Sequence, residues 1–175
     1  MNYQILCEQV CALAKNTGKF LKQEVSQIQS KDIQVKGLHD FVTYVDKSAE
    51  EKIVSELMKL IPDAGFIAEE NTVSIKGEEY NWIIDPLDGT TNFLHRIPLY
   101  SVSIALMEEN EIVVGVVYEP NLDECFYAYK DGNAYLNDRV IQVSNTTEMN
   151  KALLATGFPY QEYNKMDIYM DLFTH

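Results

Sequence analysis

The stretch from Trp82 to Asn92 constrains the fold of this chain more than any other part of its sequence. It begins with a short apolar run, Trp82-Ile83-Ile84, which an Asp-Pro pair ends abruptly. Such a run is typical of a buried strand. Because Pro86 cannot extend a hydrogen-bonded ladder, the chain is expected to turn there and to leave Asp85 at the end of the strand.

The residues after this strand predict a tight acidic turn that leads into a short helix. Asp88 follows Asp85 by three positions, and Gly89 comes next. Glycine reaches backbone conformations that are closed to other residues, so it suits a sharp turn. The run Thr90-Thr91-Asn92 contains residues that favour helix starts, where free N–H groups point outward.

Two carboxylates on one turn repel each other unless a cation lies between them. Oxygen donors of this kind suit Mg²⁺, and a helix N-terminus beside it adds donors for a phosphate. An isolated turn of this type is more often an ordinary acidic surface turn. A second predicted strand, Gly65–Ala68, ends in Glu69 and Glu70. If the two strands are neighbours, their carboxylates can converge, and this favours a metal and phosphate site.

The segment Trp82–Phe93 also resembles the signature of the inositol monophosphatase family, which comprises Mg²⁺-dependent, lithium-sensitive sugar-phosphate phosphatases. The segments Gly115–Tyr118 and Gly132–Ser144 are similar to the family pattern too. The resemblance implies an α+β fold with layered helices and an antiparallel sheet, of the inositol monophosphatase and fructose-1,6-bisphosphatase type. In the family this becomes an αβαβα sandwich, and the intact protein is expected to form a homodimer.

The resemblance also implies roles for individual residues. The expected metal ligands for two or three Mg²⁺ ions are Glu69, Asp85, the Leu87 carbonyl and Asp88. The expected catalytic residues are Thr90, Asp46 and Glu69, with Thr90 and Asp46 helping to deprotonate the attacking water. The expected substrate contacts are Asp88, Gly89, Thr90 and Thr91. Supporting roles are expected for Lys36 and Glu70.

The implied reaction is hydrolysis of a small sugar or polyol phosphomonoester, most like inositol 1-phosphate. Fructose-1,6-bisphosphate and 3′-phosphoadenosine phosphate are rival substrates, although the pair Thr91-Asn92 disfavours the nucleotide. A protein that binds metal and phosphate without useful turnover is the alternative from another class.

Charge narrows the choice of partners. The 175 residues carry a formal net charge of −13, with a pI near 4.5. Such a surface repels nucleic acid and anionic membranes, so neither is an expected partner. The three cysteines show no metal-binding or disulfide spacing, and reduced thiols in a cytoplasmic protein are expected. The N-terminus does not resemble a signal peptide.

The remaining pattern predicts helices at 3–29, with Gly18 as a weak point, at 46–61, with Asp46 as N-cap, and at 163–173. A loop or edge strand is predicted at 31–37, a loop at 71–78, an antiparallel meander from Ser101 to Val143, and a strand and turn at 151–159.

Relatives in the family continue with a second α/β half, which carries a further metal-binding Asp beside a Trp. Residues 1–175 are therefore expected to be the N-terminal α+β portion that binds metal and phosphate. On that expectation, apolar residues that include Leu153, Leu154 and Phe158 face water, and the chain alone is oligomeric or poorly folded.

Overall fold

The computed structural model describes residues 1–28, 33–37, 40–70, 72–157 and 163–174. In chain order the helices and strands are α1 (Tyr3–Glu24), β1 (Ile33–Gly37), β2 (Asp40–Thr43), α2 (Tyr44–Leu60), β3 (Gly65–Ala68), β4 (Ser74–Ile75), β5 (Tyr80–Asp88), α3 (Thr90–Leu94), β6 (Ser101–Glu108), β7 (Glu111–Glu119), β8 (Glu124–Tyr129), β9 (Ala134–Leu136), β10 (Arg139–Ile141) and α4 (Met166–Thr174).

Two helices pack against one face of a large sheet. Within the described ranges this sheet has eight strands in the order β10-β9-β8-β7-β6-β5-β3-β4, and β1 pairs with β2 in a separate hairpin. Neighbouring strands are antiparallel except β3 and β5, which run parallel. The core lies between the sheet and α1 and α2, and Trp82 at its centre is fully buried. The predicted α+β layering is confirmed, with one parallel pair added.

Helix α1 is continuous through Gly18, so the predicted weak point is wrong. The helix tolerates this glycine because it lies against the sheet. A Cβ atom added at Gly18 would lie 2.5 Å from Cε1 of Tyr118. The close approach of helix and strand is therefore the reason for a small residue here.

Helix α2 begins two residues earlier than the sequence predicts. Its N-cap is Thr43, whose Oγ1 accepts a hydrogen bond from the Val45 N–H at 3.0 Å. Asp46 lies three positions later and its Oδ2 accepts from the Thr43 N–H at 2.8 Å. The prediction of Asp46 as the cap was therefore wrong. Thr43 and Asp46 form a reciprocal capping box, in which threonine is the N-cap. The Asp46 carboxylate therefore points back into the protein, toward the Thr43 N–H.

Three local predictions also need correction. Strand β4 lies inside the predicted loop at 71–78, because it pairs with β3. The last strand of the meander is β10, which ends at Ile141 rather than at Val143. The predicted strand at 151–159 is a 3₁₀ turn, Met149–Lys151, followed by irregular backbone up to Gly157. Phe158 and Pro159 lie outside the described residues. The helix predicted at 163–173 is confirmed as a 3₁₀ turn followed by α4.

Apolar side chains remain exposed on the far face of the sheet and near the C-terminus. Val117 and Phe126 are 40% and 37% exposed, and a Cβ added at Gly115 would meet nothing within 4 Å. Leu153 and Leu154 are 98% and 75% exposed, as predicted.

We therefore expect the purified chain to self-associate, because exposed apolar patches favour association. Light scattering should give a mass above the 20.0 kDa of one chain. Phe126→Glu should lower this mass, whereas Ile5→Glu, on the exposed side of α1, should not. A strictly monomeric wild-type chain at tens of micromolar would contradict the expectation.

The three cysteines are free and buried, as expected for reduced thiols. A hydrogen bond from Cys125 favours the Cys11 thiolate, but hydrogen bonding to Cys7 and burial outweigh it and raise the pKa of Cys11 to about 12. Hydrogen bonding to Cys11, together with burial, raises the pKa of Cys125 as well.

These thiols should resist alkylation in the native chain. Only the thiolate is nucleophilic, and only opened molecules expose it, so iodoacetamide at pH 8 should react with these cysteines much more slowly than with free cysteine. Mass spectrometry should find no rapid modification in buffer and three modified cysteines in denaturant. A native Cys11 or Cys125 that reacts at the rate of free cysteine would refute the buried cluster.

Among the described residues, no helix combines the length and the apolar character that crossing a bilayer requires.

Candidate metal and phosphate site

The parallel pairing of β3 and β5 brings two predicted ligands to one edge of the sheet. Ala68 pairs with Ile84, and the Glu69 N–H donates to the Ile84 carbonyl at 3.1 Å. Glu69 therefore leaves β3 beside Asp85, where the two carboxyl groups lie close enough to interact. The sequence predicted that the carboxylates after the two strands converge if the strands are neighbours. The parallel pairing of β3 and β5 meets this condition.

Strand β5 does not end at Asp85, as the sequence predicted, but continues to Asp88. Asp85 pairs with Ser103 and Asp88 with Ser101, so three steps on β5 oppose two on β6. The extra residue makes a bulge, where a ladder hydrogen bond is lost in any case. Pro86 is accommodated there because no N–H is required at a bulge.

The bulge is followed by the glycine turn that the sequence predicts. Gly89 has φ +97°, a left-handed conformation, and it caps α3. A Cβ at this position would also lie 3.0 Å from the Leu99 carbonyl oxygen. The Asn92 side chain donates to the same carbonyl at 2.7 Å, which ties α3 to the segment after it. Thr91 is exposed at the start of the helix.

Thr90 meets Asp46 across 44 positions of sequence. The Thr90 hydroxyl lies 3.1 Å from Oδ1 of Asp46 and 3.1 Å from the Leu87 carbonyl oxygen. The Thr43 hydroxyl donates to Oδ2 of Asp46 at 2.6 Å. Asp46 is 1% exposed, and each of its two oxygens has a different partner. Oδ2 accepts from Thr43 at the helix cap, and Oδ1 accepts from Thr90 in the turn after β5.

Asp85 is a half-buried carboxylate in a negative environment. Burial raises the pKa of Asp85, and the charges of Asp88 and Asp46 raise it further. The interaction with Glu69 and the hydrogen bond that the Leu87 N–H donates at 3.1 Å both lower this pKa. A cation at this edge would offset the repulsion between the carboxylates.

The donor set fits a hard cation, because every candidate ligand is a carboxylate or carbonyl oxygen. Among the residues that the structure describes, no three carboxylate, thiol or imidazole side chains group closely enough to hold an ion by themselves. Ions held at Asp85 would therefore take other ligands from the Leu87 carbonyl, water or a phosphate, as Mg²⁺ commonly does.

The two predicted supporting residues lie on different elements. The backbone of Lys36 belongs to β1, and its side chain is outside the described part of the structure. Glu70 is half-buried directly after Glu69, and its N–H donates to Oε2 of Glu50 at 2.8 Å. Glu50 is not among the site residues predicted from the sequence. Its spacing from Asp46 and Ile53, on one buried face of α2, was the pattern that could have found it.

The chain is similar in sequence to proteins of a known family. A sequence profile of the inositol monophosphatase family matches residues 2–171. Inositol-1-monophosphatase of Mesorhizobium japonicum is 40% identical over 149 residues, which are 84% of this chain and 56% of that protein. The fructose-1,6-bisphosphatase/inositol-1-monophosphatase of Aquifex aeolicus is 36% identical over 156 residues, 89% of this chain and 59% of that protein.

Solved structures show the same fold. The inositol monophosphatase from Anabaena superposes with a TM-score of 0.79 and 32% identity, over 94% of this chain and 59% of that one. The chain thus spans somewhat more than half the length of these relatives. With a family profile matched over nearly all of its residues and the fold in agreement, the chain belongs to the inositol monophosphatase family.

Proposed function

We propose that the protein hydrolyses a small phosphorylated polyol or sugar with the help of Mg²⁺, and that inositol 1-phosphate is its substrate. The observation that carries the proposal is the meeting of Glu69, Asp85 and the Thr90–Asp46 pair at one edge of the sheet. The family supports a phosphoric monoester hydrolase, and names of relatives support the inositol substrate.

In this proposal Glu69, Asp85 and the Leu87 carbonyl would hold one Mg²⁺, and Asp85 and Asp88 would hold a second. Glu69 would also share a third. When bound, the ions neutralise phosphate charge and lower the pKa of water, which favours its attack on phosphorus. The fit rests on the oxygen-only donor set and on the repulsion at Asp85, whose pKa burial and neighbouring acids raise.

The chain's own residues then bind the phosphate and move the proton. Backbone N–H groups at Gly89, Thr90 and Thr91 are the proposed donors to the phosphoryl oxygens. The Thr90 hydroxyl is oriented by Oδ1 of Asp46 at 3.1 Å and is proposed to accept a proton from the attacking water as its own proton passes to Asp46. Asp46 is held in turn by Thr43.

Several finer points stay predictions. Lithium inhibition, a homodimer and a cytoplasmic location belong to the proposal, as does the interpretation of residues 1–175 as the N-terminal portion of the enzyme. Fructose-1,6-bisphosphate is the rival substrate, because the relative from Aquifex aeolicus carries both activities in its name. Binding of metal and phosphate without turnover is the rival from another class.

Phosphate release tests the proposal. Inositol 1-phosphate, fructose-1,6-bisphosphate and 3′-phosphoadenosine phosphate are compared at equal concentration with saturating Mg²⁺, with EDTA, and with added LiCl. We expect release from inositol 1-phosphate to be fastest, to need Mg²⁺ and to fall with lithium. Faster release from fructose-1,6-bisphosphate would make that compound the assigned substrate. Binding of Mg²⁺ and phosphate without release from any compound would favour the binding protein.

A further inference from the structure

Helix α2 carries a carboxylate that is buried more completely than any predicted ligand. Glu50 is 0% exposed. A buried carboxylate is costly unless hydrogen bonds stabilise it. Its Oε2 accepts from the Glu70 N–H at 2.8 Å, and its Oε1 accepts from the Thr72 N–H at 2.8 Å and the Thr72 hydroxyl at 2.7 Å. Both oxygens are thus committed to the turn that follows β3.

This turn carries the predicted ligand Glu69. On one side, the Glu69 N–H is held by the Ile84 carbonyl of β5 at 3.1 Å. On the other side, Glu50 binds the very next N–H in the chain, that of Glu70, and then the N–H of Thr72. The turn therefore receives, from a side chain, acceptors for backbone N–H groups that the sheet does not satisfy. Glu69 is fixed at both ends.

Glu50 lies one helical turn after Asp46 on the same buried face of α2. Asp46 holds the Thr90 turn after β5, and Glu50 holds the Glu69 turn after β3. Two carboxylates on one rigid helix thus set the spacing of two turns that belong to different strands. Helix α2 therefore holds both Thr90, which is proposed for water activation, and the turn of Glu69, which is proposed for metal binding.

We propose that Glu50 is a positioning residue that orients Glu69 toward Asp85 and so tunes divalent-cation binding. This inference rests on the proposed function. Outer-shell groups of this kind typically change metal affinity by 10–100-fold when removed.

The test compares Glu50→Gln with wild type by amide NMR of the full chain. The glutamine keeps the size of the side chain but replaces one acceptor oxygen by an NH₂ group that faces an N–H donor. Without metal, hydrogen exchange at Glu70 or at Thr72, whichever N–H then faces the NH₂ group, should accelerate by roughly 10-fold or more, because its acceptor is lost. In an Mg²⁺ titration, the shifts near Glu69 should require about 10–100-fold more Mg²⁺.

The matched control is Glu51→Gln, which removes the same charge from an exposed neighbour on α2 and should leave both measurements unchanged. Unchanged exchange at Glu70 and Thr72 in Glu50→Gln would overturn the proposal. Uniform acceleration that reaches α1 and β6 would also overturn it, because Glu50 would then serve general stability only.

Thr72→Val decides the matter if Glu50→Gln does not fold. It removes only the hydroxyl donor of an exposed residue, so smaller effects in the same two measurements are expected. No effect in either would refute the proposal. A wild-type chain whose Glu69 region shows no response to Mg²⁺ would overturn the proposed function itself. The role given to Glu50 in cation binding would fall with it, whereas the exchange data without metal would report separately on its hold on the turn.

Discussion

Asp85→Asn is expected to abolish Mg²⁺ binding at the site and, at the same time, to stabilise the metal-free protein. Asp85 is proposed to contact both the first and the second ion, so its replacement should weaken Mg²⁺ binding by more than the roughly 10–100-fold typical of outer-shell changes. Isothermal titration calorimetry measures this effect. Unchanged Mg²⁺ affinity would remove Asp85 from the site.

The gain in stability has a separate physical cause. Asp85 is half-buried, and the charges of Asp88 and Asp46 act against its own. The neutral asparagine removes that repulsion, and charge changes of this kind commonly contribute about 0.5–2 kcal/mol to the free energy of unfolding. Trp82 is the only tryptophan and is fully buried, so its fluorescence can follow thermal unfolding without Mg²⁺.

Asp63→Asn is the matched control, because Asp63 is exposed in the turn after α2. It should change neither Mg²⁺ affinity nor melting temperature by a measurable amount. A lower melting temperature for Asp85→Asn than for wild type without metal would show that the carboxylate stabilises the apo fold. Our account of the electrostatics at this edge would then be wrong.

Thr90→Ala is expected to lower kcat by about 10²–10⁴-fold, the range for a general base or proton relay, with KM little changed. The hydroxyl has a single proton and two acceptors at 3.1 Å, the Asp46 carboxylate and the Leu87 carbonyl. Its proposed role is at the transition state, so substrate affinity should be nearly unaffected. Initial rates of phosphate release at saturating Mg²⁺ give both constants.

Thr90→Ser keeps the hydroxyl and should retain most of the activity, which separates chemistry from packing. Asp46→Asn should lower kcat in the same direction, and the double variant should lose far less than the product of the two single losses, because the pair acts as one unit. A raised KM at constant kcat in Thr90→Ala would mean that the residue only holds substrate.

Local sequence predicted the turn at the centre of the site. The buried run before Asp85, the left-handed Gly89 and the helix that begins at Thr90 are all present. Each depends on the covalent properties of a few consecutive residues, such as the conformational freedom of glycine. The meander was predictable for the same reason, since alternation along β6 shows which face is buried.

Other features could not be read from neighbouring residues. From the local sequence alone, Pro86 is expected to end the strand. In the structure it lies in a bulge within β5, and this bulge exists only because β5 pairs with β6. Aspartate commonly caps helices, yet Thr43 is the N-cap of α2. Asp46 is the third residue of the helix, and its side chain accepts a hydrogen bond from the Thr43 N–H. In both cases the local sequence predicted the right type of feature, a chain irregularity at Pro86 and a helix cap near Asp46. The pairing of β5 with β6 and the packing of α2 decided at which residue each feature lies.

By itself, the sequence determined which chemical groups are present and where the chain turns, because those follow from side-chain type and backbone freedom within a few residues. Only the tertiary structure decided that α2 packs beside the parallel pair of β3 and β5. That packing brings Asp46 to Thr90 and Glu50 to the turn after Glu69, across 44 and 20 positions respectively. The reason is physical: burial of the apolar face of α2 against the sheet carries Asp46 and Glu50 inward, where each needs hydrogen-bond donors. Distant segments supply them at Thr90, Glu70 and Thr72, in addition to the local cap at Thr43.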